Sequence, residues 1–527
     1  MRSQIAALCL LLSGQVAFSQ TVTDYARTIQ AGDLEKHLRV IAADDMQGRE
    51  TGTPGQKKAA EYLAKQFQEF GLKAIVPTAD GKTSYLQPFN LYRKTWGDFY
   101  VKAGGATYSY PKDFIVNGLL SVPTETAFET VFAGYGISAG AYDDYAKLDI
   151  KGKAVVVLEG APKNKKGEPL EGTADFNSPD SWRKKVTLAK DKGAAQIFIV
   201  SAQSGDDYKR LVAERSALMG RFNRLTLKPG AEQLSPVGTF LISSDLAANL
   251  LNTKTDKFNK AVQKITDSGK TTAGSLKGKV SLKAERKEEA VQTENVMGFL
   301  EGTDKKDEVL IVSSHYDHIG VSPDGQVNNG ANDDGSGTVS VLEMAQAFAK
   351  AKAEGKGPRR SVLFLCVTGE EKGLLGSQYY ADMQPIIPLA NTVADLNIDM
   401  VGRVDDLHLG KSENYIYVIG SDKLSSELHQ ISENANRANT MMELDYKYND
   451  PGDPERIYYR SDHYNFAKHK IPIIFYFNGL HPDYHRPTDD VDKINFNLAE
   501  KSARLVFFTA WEVANRENRP VVDSNKP

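Results

Sequence analysis

From about residue 291 onward, short apolar runs alternate with stretches of helical spacing, and this alternation restricts the fold more than any other feature of the chain. Runs over 308–313, 361–367, 394–399, 415–419 and 472–477 have strand length. Between the first two, 337–351 places Val341, Leu342, Ala345 and Phe348 on one face of a helix. Strands alternating with helices predict an α/β domain with a mixed, mostly parallel central sheet flanked by helices.

The preceding part has two textures. Ala59, Ala60, Leu63, Phe67 and Phe70 follow helical spacing, and Gly71 stands where such a helix would stop. From about 120 to 290, apolar runs at 154–158, 196–200 and 239–242 are separated by Gly, Pro, Asp and Lys clusters, with a helical pattern over 185–192. This predicts a compact β-rich unit, 121–290, inserted into a domain made of 21–120 and 291–520. The tail from Asn515 is polar and reads as loose.

The first twenty residues follow a different rule. Arg2 precedes an apolar stretch over 5–12, and small residues follow up to Ser19. That order predicts a signal peptide, 1–20, and export to the periplasm or the medium. Its apolar stretch is too short to span a bilayer, and no later segment approaches the ~20 apolar residues that a span requires. Cys9 leaves with the leader, so Cys366 has no partner for an internal disulfide and reads as a buried, inert thiol. A formal net charge of -3 gives no reason to expect a nucleic acid or an anionic membrane as partner.

Residues that carry chemistry gather where the predicted strands end, the usual place for sites in open α/β sheets. His315 follows the first strand, and Asp317 projects to the same side if the chain stays extended. A carboxylate there can orient the imidazole toward a metal, although a single histidine at a strand end is more often structural. Asp333 and Asp334 lie in an Asn- and Gly-rich stretch before the helix and could form only a solvated turn or cap. Glu370 and Glu371 follow the 361–367 strand. Neighbouring buried carboxylates are costly unless a cation sits between them, and an exposed acidic helix start is the alternative. Asp399 ends an apolar strand, an unusual place for an unpaired carboxylate. The stretch 481–490 carries His481, Tyr484, His485 and several acids.

Taken together and in this order, the segments across 304–490 resemble the M28 family of zinc aminopeptidases. The stretch Asp45-Met-Gln-Gly-Arg-Glu-Thr-Gly-Thr-Pro-Gly55 resembles the family's N-terminal segment, and 145–157 and 189–195 resemble a protease-associated (PA) domain. The resemblance implies a zinc exopeptidase fold with two zinc ions per chain. Asp333 would bridge them, with His315 and Asp399 completing one site and Glu371 and His485 the other. Glu370 would be the general base, Asp317 the partner of His315, and Tyr484 a donor to the developing oxyanion. His318, His463 and His481 fall outside the family's ligand positions and are read as local structure or pocket wall.

The chemistry is consistent with that set. Oxygen and nitrogen donors without thiolate suit zinc, and zinc lowers the pKa of its water to about 7. A second glutamate that is not a ligand can accept the water's proton and pass it to the leaving amine. The implied substrates are peptides with a free N-terminus. Three other readings stay open. A zinc carboxypeptidase of the same superfamily would need cationic groups, and Arg403, Arg456, Arg460 and Arg486 are available. A glutaminyl cyclase-like transferase would use one zinc on the same fold. A non-catalytic receptor-like protein would have lost ligand positions that are all present here. The preferred N-terminal residue and the oligomeric state stay open too.

Overall fold

The computed structural model describes residues 22–525 apart from 179, 203, 221–223 and 230–233. The leader expected over 1–20 lies outside the described residues. The chain divides into two compact units, one running to Leu91 and resuming at Val291, the other Tyr92–Ala290. The second begins ahead of the change in composition near 120, because a hairpin pairing Tyr100–Ala103 with Ala106–Ser109 already belongs to it.

The first unit contains, in chain order, α1 (Ala31–Ile41), α2 (Pro54–Glu69), the last residues of β1 (Lys277–Leu300), β2 (Lys305–His315), α3 (Gly337–Ala353), β3 (Arg360–Val367), β4 (Thr392–Ile398), β5 (Tyr415–Ile419), α4 (Ser426–Ala435), β6 (Glu443–Asp445), β7 (Ile473–Phe477) and α5 (Phe496–Asn515). Its strands lie in the order β6-β5-β7-β4-β2-β3-β1. The middle four, β7, β4, β2 and β3, are parallel, and β5 and β1 flank them antiparallel. The sheet is mixed and mostly parallel.

Burial on both faces explains the unbroken apolar runs. Val362, Phe364 and Cys366 of β3 face a core shared with Leu342 and Phe348 of α3 and Phe507 and Trp511 of α5. Leu363, Leu365 and Val367 face the opposite core with Ile311, Phe466 and Ile473. Each such Leu or Phe contributes about 1.5–3 kcal/mol by leaving water. The Cys366 thiol is free and buried, and accepts only a long contact from Ser314 Oγ at 3.7 Å. Pro54 opens α2, and Gly71, at φ 80°, follows its end.

In the second unit, Val122–Phe132, Ala154–Leu158, Gln196–Ala202 and Thr239–Ser243 are parallel neighbours. Helices Ser181–Asp191, Ser244–Leu250 and Thr255–Ser268 accompany them, so the unit is α/β in its own right. Lys185, buried on the first of these helices, donates to the Leu158 carbonyl at 2.6 Å, and burial pushes its ammonium down to about 7. Among the described residues, no helix is long and apolar enough to cross a membrane.

Candidate metal centre

Parallel strands end on the same edge of a sheet, and here four adjacent ones each deliver a polar group at that edge. His315 closes β2, Glu370 and Glu371 follow β3, Asp399 follows β4, and His485 lies on the segment after β7. Register keeps them level: His315 pairs with Val367, Ser313 with Asn397, and Asn397 with Phe475. Asp333 enters from the β2–α3 connection. The sequence-predicted residues therefore meet in one place.

The donors form two groups that share Asp333. His315 Nε2 lies 3.3 Å from Asp333 Oδ1 and 3.6 Å from Asp399 Oδ1. His485 Nε2 lies 3.1 Å from Asp333 Oδ2 and 3.1 Å from Glu371 Oε2. The two oxygens of one carboxylate thus face different imidazoles. Burial would raise the Asp333 carboxyl, but His315 and His485 hold it well below the usual carboxylate range. Burial likewise opposes the charge on Glu371, yet His318 and His485 bring its carboxyl down to about 2. Glu370 stands apart, its Oε2 3.9 Å from His315 Nε2. Burial, with Glu371, Asp462 and Asp399 nearby, raises its carboxyl well above the usual range despite His315.

Asp334 does different work from its neighbour across a cis peptide bond. Its oxygens accept main-chain N–H groups from Gly337 at 2.8 Å, Met400 at 3.0 Å and His315 at 3.3 Å. It therefore ties the start of α3 to the ends of β2 and β4. Gly337 is required there, since a Cβ would come within 2.4 Å of both Asp334 Oδ1 and the Ile398 carbonyl. Asp317 sits beside His315 mainly through its backbone: its carbonyl is 3.1 Å from Nδ1, and its carboxylate Oδ1 is 3.8 Å away. That carboxylate accepts the Glu370 N–H at 3.2 Å and the Thr51 hydroxyl at 2.8 Å.

Several supports escaped the reading of the sequence. Arg49, fully buried, donates to the carbonyls of Tyr316, Ile41, Asn329 and Gly330 at 2.7–3.0 Å. Asp489 accepts the N–H groups of Asn332 and Asp333 at 3.1 Å. Ser461 donates to Asp399 Oδ2 at 2.7 Å, leaving Oδ1 to face His315. The only signal for Arg49 was its place in the 45–55 motif. Of the three histidines set aside, His463 is structural: its ring stacks on Phe475, and Nε2 lies 2.8 Å from the Tyr458 carbonyl. His481 is buried beside Arg403, which with burial lowers its pKa to about 4. His318 differs from both. Its ring lies inside the donor cluster, with Nδ1 2.9 Å from Glu371 Oε1.

The arrangement fits divalent cations. Asp333 Oδ2, Glu371 Oε1 and Asp399 Oδ1 are buried without a hydrogen-bond partner. Carboxylate oxygens in that state are costly unless a cation compensates them. All converge with imidazole nitrogens, the donor set suited to zinc. A cavity opens over His315, Asp333, Glu370 and Asp399, with Tyr484 and Arg460 also in its wall and Met400, Phe475 and Leu480 giving it an apolar side.

A sequence profile of peptidase family M28 matches residues 295–510, which contain every one of these donors. That match is confined to this part of the chain. An aminopeptidase of Bacillus subtilis is 26% identical to this chain over 235 residues, 43% of this chain and 46% of that one. A probable leucine aminopeptidase of Arthroderma otae is 30% identical over 239 residues, 44% of this chain and 61% of its own length. The aligned part thus spans about half the length of these curated relatives. An aminopeptidase from Aneurinibacillus sp. strain AM-1 shares the fold at a TM-score of 0.50 and 19% identity, covering 95% of this chain and 98% of that one. The donor cluster thus lies within the part of the chain that is similar to this family.

Proposed function

We propose that this chain is a zinc-dependent aminopeptidase that binds two zinc ions and removes residues from the free N-terminus of peptides. The observation that carries the reading is the division of the Asp333 carboxylate between two imidazoles, with Glu370 free beside them. His315, Asp333 and Asp399 would hold one ion; Asp333, Glu371 and His485 the other. The names of the M28 relatives support the aminopeptidase type.

Zinc, when bound, supplies Lewis acidity toward the scissile carbonyl and toward water. Glu370 takes the proton of the attacking water and returns it to the leaving nitrogen as the C–N bond breaks. Asp317, through the Glu370 N–H, fixes the backbone from which that carboxylate reaches out. Tyr484 lines the cavity, and burial raises its phenol, so it stays protonated and can donate to the carbonyl oxygen. Met400, Phe475 and Leu480 give the cavity an apolar wall beside the reacting bond.

The test is hydrolysis of a panel of aminoacyl-p-nitroanilides with and without chelator. Turnover that chelation leaves untouched sinks the reading. One observation favours a carboxypeptidase instead: Arg460 lines the cavity and, among the described residues, pairs with no carboxylate. Of the other arginines, Arg403 is engaged by Asp483 at 3.0 Å. Comparing N-acetylated with free-amine peptides separates the two, since only an aminopeptidase requires the free amine. The leader expected over 1–20 supports export to the periplasm or the medium, and 145–157 and 189–195 support a PA-type insert. N-terminal sequencing of the mature protein tests the export.

A further inference from the structure

His318 is fully buried, and neither of its ring nitrogens has a hydrogen-bond partner. Buried polar groups in that state are rare and costly. Nor is the ring there by loose packing. Its main-chain N–H donates to the Arg49 carbonyl at 3.3 Å. Its face rests on Gly330, where a Cβ would come within 2.5 Å of His318 Cγ. Any larger residue at 330 would displace the imidazole.

The ring is aimed at one point. Nδ1 stands 2.9 Å from Glu371 Oε1 and 3.7 Å from Asp333 Oδ2. The near contact pairs the imidazole with the Glu371 carboxylate, and the same nitrogen is within reach of the Asp333 oxygen. His485 Nε2 approaches the same Asp333 oxygen and the other Glu371 oxygen, both at 3.1 Å. Two imidazoles and two carboxylates thus surround a single position, with the rings edge to face at 5.7 Å.

We propose that His318 Nδ1 is a fourth protein donor to the metal ion held by Asp333, Glu371 and His485. This rests on the two-zinc reading and makes its two sites unequal. Four protein donors close a tetrahedral zinc site, whereas three leave a position open. The ion at His315 and Asp399 would keep an open position, and the ion at His318 would have one protein donor more.

The test begins with the unaltered, zinc-loaded protein. X-ray absorption at the zinc edge counts imidazoles per ion. Three histidines shared by two ions give about 1.5, and two give about 1, so a value of about 1 overturns the proposal. The variants His318→Gln and His318→Ala follow, with zinc counted after dialysis and affinities measured by chelator competition. One ion should bind at least about 100-fold more weakly while the other keeps its affinity, a loss at or above that for an outer-shell partner. Loss of both ions, or of neither, overturns it. Unaltered protein that binds no zinc at all would instead sink the two-zinc reading itself. Melting of the metal-free variants checks folding, and the absorption count decides should they not fold.

Discussion

The Arg49 guanidinium donates from Nε to the Tyr316 carbonyl at 2.7 Å, so a side chain from the segment before α2 grips the residue between His315 and Asp317. The same group reaches the carbonyls of Asn329 and Gly330, just ahead of Asp333. One cation therefore ties together the two connections that carry His315 and Asp333. Arg49→Ala would leave four buried carbonyls without their donor, and is expected to cost about 3–5 kcal/mol. Arg49→Lys should recover little, since one ammonium cannot replace a planar fork that contacts four carbonyls. Urea unfolding of the metal-free proteins measures both. A cost below about 1 kcal/mol would mean that the loops hold themselves.

Glu370 is the one carboxylate in the cluster that faces the cavity without belonging to either donor group. Glu370→Gln keeps the shape and removes the proton acceptor. Zinc content and melting temperature should match the unaltered protein, while kcat falls by about 10²–10⁴-fold. Full turnover by this variant would remove Glu370 from the chemistry. Loss of zinc would make it a ligand instead of a base.

Asp333→Ala acts differently, because each oxygen of Asp333 serves a different imidazole. Both sites should weaken together, leaving fewer than about one zinc per chain after dialysis. Asp399→Ala touches only the His315 side and should spare the other ion. A metal assay that finds equal losses in the two variants would contradict a shared carboxylate.

How far the sequence could be read follows from what each residue contacts. The strand ends were legible because β2, β3, β4 and β7 each carry a buried, mostly apolar run, so a charged residue at their ends stands out. That His315, Asp399 and the Glu370–Glu371 pair would meet follows from parallel strands finishing at one edge. The supports were not legible. Arg49 contacts only main-chain carbonyls, three of them far along the chain, and such partners leave no mark in residue type. Which of Asp333 and Asp334 faces the imidazoles depends on the local backbone, which spacing alone does not reveal; the family resemblance implied Asp333. His318 falls outside the family's ligand positions, and spacing gives no sign of its place because its neighbours Glu371 and Asp333 come from other connections. The early start of the second unit at Tyr92 was hidden because Leu86–Ala103 is half exposed and mixes polar with apolar residues.

His463 gives the fold a measurable response to acid. Its ring is fully buried against Phe475, and burial lowers its pKa from 6.5 to about 3. Between those values the unfolded chain holds a proton that the folded chain refuses. Stability therefore rises with pH through that window and is lost on acidification, by at most about 1.4 kcal/mol per pH unit. His463→Phe keeps the stack on Phe475 but cannot titrate. It also leaves the Tyr458 carbonyl without its donor, which should cost about 1 kcal/mol at neutral pH. The gap between the two proteins should then narrow as the pH falls below 6.5, and reverse before it reaches about 3. Urea unfolding of both proteins at a series of pH values across the window checks this. A gap that stays constant would mean that His463 takes up its proton equally well in the folded chain.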